Sequence, residues 1–284
     1  MSDQRIAVVT DSTAYIPKEA LGEFDIPAIP LWLIWGDDRF RDGVDIDPPT
    51  FYGRLPGSKV FPTTSQPSAG EFVEFFQQAG QGAGSVVAVL ISSKLSGTVA
   101  SALAAKADLP GMDIHVVDSL STSMELGFGV LQAARAAASG KPVGEVVAAA
   151  EAVRATGSIM FVVDTLEFLH RGGRIGGAKR LLGTALNLKP LLSVEDGRIE
   201  ALASVRTKRK AVAKMLDIAE ERLGGKEMAE AAVLDVNCPE EGRSVADMVK
   251  ERFGLPVVYR TKVSPVIGAH VGPGTVGVCF YPKT

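Results

Sequence analysis

The sequence predicts an α/β protein of two domains. An amino-terminal domain on a mostly parallel sheet is expected over residues 1–157, and a smaller α+β domain with a mixed or antiparallel sheet over 158–284. Three observations carry that expectation. A chain of 284 residues is longer than most single cores support. The first half repeats apolar runs that end at small or acidic residues, each followed by helical periodicity, which is the pattern of buried parallel strands with crossover helices. The second half contains Asp196-Gly197 between two extended runs, a hairpin signal that implies antiparallel pairing.

In chain order, RIAVVTDS (5–12), SVVAVLISS (85–93) and IHVVDSLS (114–121) read as the parallel strands. Helices are expected after TTSQPS, where Ser68 and Glu71 form a capping box, and over SGTVASALAAKA. Two more follow the third strand: STSMELGFGVLQAARAAASG, with Gly140 as its stop, and VGEVVAAAEAVRATG. The segment 27–43 reads as an extended excursion turning at Gly36-Asp37-Asp38. From Ser158 the expectation is a strand SIMFVVDT, a helix RIGGAKRLLGTAL and the hairpin 188–206. A helix over 208–223, a strand AAVLDVN, a helix over 239–253 and strands PVVYR and TVGVCFY complete the chain.

Composition excludes several functions. Lys and Arg number 30 against 33 Asp and Glu, a net charge of −3, which argues against a general nucleic-acid binder. The two cysteines, Cys238 and Cys279, form no C-x-x-C pattern, so neither a zinc knuckle nor a redox motif is expected. Mean hydropathy is +0.17, yet no run of about 20 apolar residues occurs. The first residues enter a strand pattern with no basic and apolar leader, so a cytoplasmic location is expected.

Candidate chemistry gathers in hydroxyl clusters at the carboxyl ends of the strands, where open α/β sheets bind ligands. They are Asp11-Ser12-Thr13, the stretch from Ser92 to Thr98, and Ser119 to Ser123, with Thr63-Thr64-Ser65 ahead of another helix start. Helix capping accounts for each residue singly; an anion held by several of them accounts for their convergence. No G-x-S-x-G elbow and no G-x-x-x-x-G-K-[ST] loop is present, and the glycines at 272, 274 and 277 precede a terminal strand with no helix to receive a pyrophosphate. They are expected to shape a tight turn next to His270. His115 falls inside a strand, where a satisfied buried role is expected. A basic cluster, Arg206 with Lys208, Arg209 and Lys210, sits at a helix start where the dipole disfavours cations; its role stays open.

The motifs VVTDST, TTSQPS, ISSKLSGT, DSLSTS, FLHRGGRIGGAKRLLGTALNLKPLLS and HVGPGTVGV, in this order over essentially the whole chain, resemble the DegV family of bacterial fatty-acid-binding proteins. That resemblance implies a non-enzymatic protein without cofactor or metal. A long-chain fatty acid would lie in a buried tunnel with its carboxylate at the domain interface, held by Thr64, Ser96, the Gly97 N–H and His270. It further implies presentation of the lipid to an ATP-dependent fatty acid kinase, which forms the acyl phosphate used in phospholipid synthesis. The partner-contacting residue would be Arg174, whose place between Gly173 and the IGGAKRLLG segment predicts an exposed guanidinium. Tyr15 and His170 depart from the family's usual residues, away from the carboxylate motifs. A transient contact with a membrane surface is compatible with such a role. The alternatives are an enzyme, either a hydrolase using Ser96 and His270 or a small-molecule kinase, and a regulatory module with no small ligand. Neutral hydroxyls and one histidine suit a carboxylate better than a triphosphate, and burial of methylenes at about 0.8 kcal/mol each lets the tail supply the affinity.

Overall fold

A computed structural model describes residues 5–183 and 188–283. The amino-terminal sheet starts from β1 (Ile6–Asp11), followed by a short α1 (Lys18–Leu21) and β2 (Ala28–Ile29). The excursion folds as β3 (Trp32–Trp35), β4 (Asp38–Arg41), α2 (Pro48–Arg54) and β5 (Thr63–Ser65). Then come α3 (Ala69–Ala79), β6 (Ser85–Leu90), α4 (Thr98–Ala107), β7 (Asp113–Asp118), α5 (Ser123–Ala138) and α6 (Val143–Thr156). Strands β2-β1-β6-β7 pair in that order, all parallel, while β4-β3-β5 form a separate antiparallel ribbon.

The apolar runs of β1 and β6 are buried on both faces because a strand's side chains alternate. Ala7, Val9, Val86, Ala88 and Leu90 meet Phe72 and Phe76 of α3 and Ala102 and Ala105 of α4. Val8, Val87 and Val89 point the other way, onto Leu126 and Val130 of α5 and Val146 of α6. The capping box at the start of α3 is formed, with the Glu71 carboxylate accepting from the Ser68 N–H at 2.8 Å and the Glu71 N–H donating to Ser68 Oγ at 3.2 Å.

The remaining elements are β8 (Ser158–Val162), α7 (Glu167–Arg171), β9 (Lys189–Glu195), β10 (Arg198–Val205), α8 (Lys208–Leu223), β11 (Met228–Asp235), α9 (Pro239–Phe253), β12 (Tyr259–Lys262), α10 (Pro265–Val271) and β13 (Val276–Pro282). They build a six-stranded mixed sheet, β10-β9-β8-β13-β11-β12, antiparallel except for β11 with β12. The hairpin turns at Asp196 (φ 47°) and Gly197 (φ 81°), both left-handed, which matches the twist of the flanking strands. One face of this sheet, with Met160, Val162, Val276 and Val278, is covered by α8 and α9. Its other face, with Phe161, Val163, Leu192 and Leu234, meets Trp35, Phe51, Phe128 and Leu131 from the first half in a single apolar core.

Two expectations are corrected, and a third is met with an addition. The segment from Arg174 to Leu186 is not one helix: Gly176–Leu181 form a 3-10 turn, and residues 184–186 lie outside the described residues. Gly176 has φ +50°, and a Cβ there would fall 2.3 Å from the Ile199 carbonyl oxygen, so the glycine is needed for contact with β10. The strand read over 256–260 begins instead at Tyr259, three residues beyond Pro256. The tight turn expected beside His270 is present, with Gly274 (φ +80°) in it; the unread feature is the helix α10 before it, which carries His270 and ends at Gly272 (φ +78°).

Candidate functional site

Chain segments distant in sequence meet around one cavity of about 50 Å³, and four of them carry the predicted site residues. Thr64 comes from β5, which is held in place by antiparallel pairing to β3, with Leu33 opposite Thr64. Ser96 lies in the loop between β6 and α4. His270 comes from α10, whose first turn is capped by Ser264 Oγ accepting from the Ile267 N–H at 3.3 Å. Arg174 follows α7. The apolar wall includes Leu31, Ile91, Leu95, Leu169, Ile199 and Ile267. The hairpin tip of the second sheet closes on the loop after β6, because Ser92 Oγ donates to the Gly197 carbonyl at 2.9 Å. A Cβ on Gly197 would fall 2.4 Å from that hydroxyl, so close docking needs glycine for space as well as for φ.

The polar centre is a Thr64–His270 pair, Oγ1 to Nε2 2.8 Å, joining residues 206 apart in sequence. The imidazole is buried, and its pKa is lowered to about 4, chiefly by that burial and further by the positive charge of Arg174. His270 is therefore neutral near neutral pH. Gly172 packs directly on the ring: a Cβ at that position would lie 2.1 Å from His270 Nδ1.

Of the sequence-predicted residues, Thr64, Ser96, His270 and Arg174 all line this cavity. Ser96 Oγ also shares a hydrogen bond with Thr98 Oγ1 at 2.8 Å, so it ties down the start of α4 as well as facing the cavity. Gly97 stands just behind the lining, where the Gln66 side chain covers it: a Cβ on Gly97 would lie 2.9 Å from Gln66 Cδ. Arg174 departs from its expected exposure. Its guanidinium is half-buried, donating from Nε to the Leu95 carbonyl at 3.1 Å and from Nη1 to the Gly172 carbonyl at 2.8 Å, so it ties the loop after β6 to the segment after α7.

Two polar lining residues were not individually named as candidates from the sequence, Gln66 and Thr122. Both stand in hydroxyl-rich motifs that were noted as groups, which was the available signal. His115, expected to be buried, is only half-buried on β7, with Nε2 3.0 Å from Asp113 Oδ1 and away from the cavity. Among the described residues no group of three or more His, Cys, Asp or Glu is placed to hold a metal ion, and no helix is long and apolar enough to cross a membrane.

An apolar-walled cavity between a parallel α/β unit and a mixed sheet, with neutral hydrogen-bonding groups at one point of its lining, marks an α/β protein with a candidate ligand site. The comparisons narrow that class. A model of the DegV family, described as uncharacterised proteins, matches residues 5–283. A DegV domain-containing protein of Streptomyces coelicolor is 41% identical over 277 residues, 97% of this chain and 98% of that one. A DegV family protein from Thermus thermophilus, described for its fatty acid binding, superimposes with a TM-score of 0.92 at 34% identity over 98% of this chain and 100% of that one. DegV of Bacillus subtilis, described as a fatty acid binding protein, gives 0.90 at 33% over 99% and 100%. A stearic acid-binding protein from Eubacterium ventriosum gives 0.90 at 28% over 98% of each chain. This chain belongs to the DegV family.

Proposed function

We propose that the protein binds a long-chain fatty acid with its carboxylate at the Thr64–His270 pair and its tail along the apolar wall between residues 1–157 and 158–284, taken as two domains. The single observation that carries this reading is that pair, a neutral imidazole bonded to a threonine hydroxyl on the edge of an apolar cavity. If Nε2 carries the proton and donates to Thr64 Oγ1, the threonine O–H is left to donate outward to a carboxylate oxygen. His270 thus acts by orienting Thr64, while Ser96 supplies a second hydroxyl and the Gly97 N–H becomes available once Gln66 swings aside. The cavity volume is that of a head group; a full acyl chain enters by displacing wall residues such as Leu95 and Ile267. The three relatives described as binding fatty acids support the ligand class.

On this reading the protein is a non-catalytic carrier of the cytoplasm that presents its lipid to an ATP-dependent fatty acid kinase, with Arg174 at the mouth. The hydrolytic alternative finds less support, because His270 is bonded to Thr64 and Ser96 to Thr98, so the Ser–His contact a nucleophile needs is not made.

Mass spectrometry of lipid extracted from the purified protein, followed by titration of delipidated protein with palmitate, tests the reading. About one fatty acid per chain and saturable rebinding are expected. Thr64→Val and Ser96→Ala should each weaken binding by about 1.5–3 kcal/mol, the value of a hydrogen bond to a charged group. Protein that neither carries nor rebinds fatty acid refutes it.

A further inference from the structure

We propose that Thr122, at the amino end of α5, is a further hydrogen-bond donor to the ligand's carboxylate, an inference that rests on the fatty-acid reading above. Thr122 is 7% exposed and lines the same cavity as Thr64, Ser96 and His270. Its Oγ1 is buried and has no hydrogen-bond partner among the described residues. A buried hydroxyl without a partner is costly, because desolvation is not recovered. A ligand oxygen in the cavity supplies the missing acceptor.

The usual reason for threonine at this position is absent. Thr122 is the N-cap residue of α5, with extended backbone (φ −155°, ψ 177°), yet its side chain makes no capping hydrogen bond. The threonine hydroxyl, taking no part in capping, is left in the lining of the cavity.

The loop that presents it is held rigidly. Leu120 (φ 51°) and Ser123 (φ 53°) both occupy the left-handed region, which non-glycine residues keep only when their surroundings enforce it. The enforcement is visible on each side of Thr122. The Leu120 N–H donates to Asp118 Oδ1 at 3.0 Å, the Ser121 N–H to Ser119 Oγ at 3.1 Å, and Ser121 Oγ donates to the buried Glu125 carboxyl. None of these bonds uses Thr122. The loop is therefore ordered around a hydroxyl that takes no part in ordering it.

The test compares Thr122→Val, which keeps the β-branched shape and removes the hydroxyl, with Thr122→Ser, which keeps the hydroxyl. Delipidated full-length protein is titrated with palmitate and with hexadecanol, and melting temperatures are measured without ligand. Thr122→Val should weaken palmitate binding roughly tenfold or more, the loss expected for a hydrogen bond to a charged group, and hexadecanol binding distinctly less. Thr122→Ser should stay within about threefold of wild type for palmitate, on the same hydrogen-bond accounting. The ligand-free melting temperature of Thr122→Val should be no lower than that of wild type, since no internal hydrogen bond is lost. If Thr122→Val binds palmitate like wild type while Thr64→Val is weakened, Thr122 is not a ligand and the fatty-acid reading survives. A lower ligand-free melting temperature with unchanged palmitate affinity shows a structural role and also overturns the proposal. Failure of wild type to bind palmitate removes the reading and this inference together.

Discussion

The two glycines of the HRGGR stretch are required for different reasons, and that difference makes a sharp prediction. Gly172 has ordinary right-handed backbone (φ −73°, ψ −8°), so alanine there meets no torsional penalty. Its constraint is space, since the new Cβ would stand 2.1 Å from His270 Nδ1, 2.9 Å from Cε1 and 3.1 Å from the Phe168 carbonyl oxygen. Non-bonded heavy atoms settle at about 3.5–4.0 Å, so the imidazole has to move by more than about 1 Å. That displacement breaks the 2.8 Å bond to Thr64. Overpacking of this kind costs about 1–3 kcal/mol and the lost hydrogen bond about 1 kcal/mol more, together about 2–4 kcal/mol. For a chain of this size the melting temperature of Gly172→Ala should fall on the order of 5–10 °C. Gly173 is the opposite case, with φ +71° and nothing within 4 Å of a Cβ, so alanine there costs only the left-handed backbone penalty of about 1–2 kcal/mol. Calorimetry of both delipidated variants, together with palmitate titration, separates the effects: Gly172→Ala should lose stability and ligand affinity, Gly173→Ala stability alone. The reasoning fails if Gly172→Ala melts and binds like wild type, or if Gly173→Ala damages affinity more than Gly172→Ala does.

Asp42 is buried, and burial pushes its carboxyl from 3.8 up to about 7, an effect only partly offset by hydrogen bonds from Ser12 and Ser264. A raised carboxyl makes its stability contribution fully below about pH 4 and loses it as pH rises through about 7. Asp42→Asn should therefore flatten that decline and gain up to about 4 kcal/mol relative to wild type above pH 7, read by denaturant melts across pH; an unchanged pH profile would show that Asp42 is not the group responsible. Gly268→Ala drives a Cβ to 2.0 Å from Tyr52 Oη, whose hydroxyl donates to the Val263 carbonyl at 3.1 Å, and should cost about 2–4 kcal/mol while disturbing α10 and its His270; wild-type melting would show that the Tyr52 ring can yield. Arg174→Ala should retain its lipid yet sharply reduce acyl-phosphate formation with a fatty acid kinase and ATP, and Arg174→Lys should restore only part, since a point charge cannot donate to the Leu95 and Gly172 carbonyls in one fork. Loss of lipid with normal turnover in excess fatty acid would show that Arg174, which lines the cavity, serves lipid binding and not the kinase encounter.

What the sequence determined by itself is whatever depends on neighbours a few residues away. The apolar runs of β1 and β6 are legible because both faces of a parallel sheet are covered, so every position must be apolar whichever helix it meets. Asp196-Gly197 is legible because a two-residue turn needs left-handed backbone at both positions, and the Ser68–Glu71 box because its hydrogen bonds close within three residues. The helices α2 and α10 were equally readable from an N-cap followed by proline, at Asp47-Pro48 and Ser264-Pro265, and went unread. Tertiary structure alone decided the rest. That His270 meets Thr64 across 206 residues, that Arg174 folds back onto Leu95 instead of facing solvent, and that the glycines at 172, 176 and 197 are needed for the space beside them all follow from which segments pack together. A glycine reads the same in sequence whether it serves a torsion or a close contact, and a hydroxyl reads the same whether it caps a helix or faces a ligand. Only the neighbour across the fold distinguishes them, and that neighbour is set by burying the second sheet's inner face against the first half.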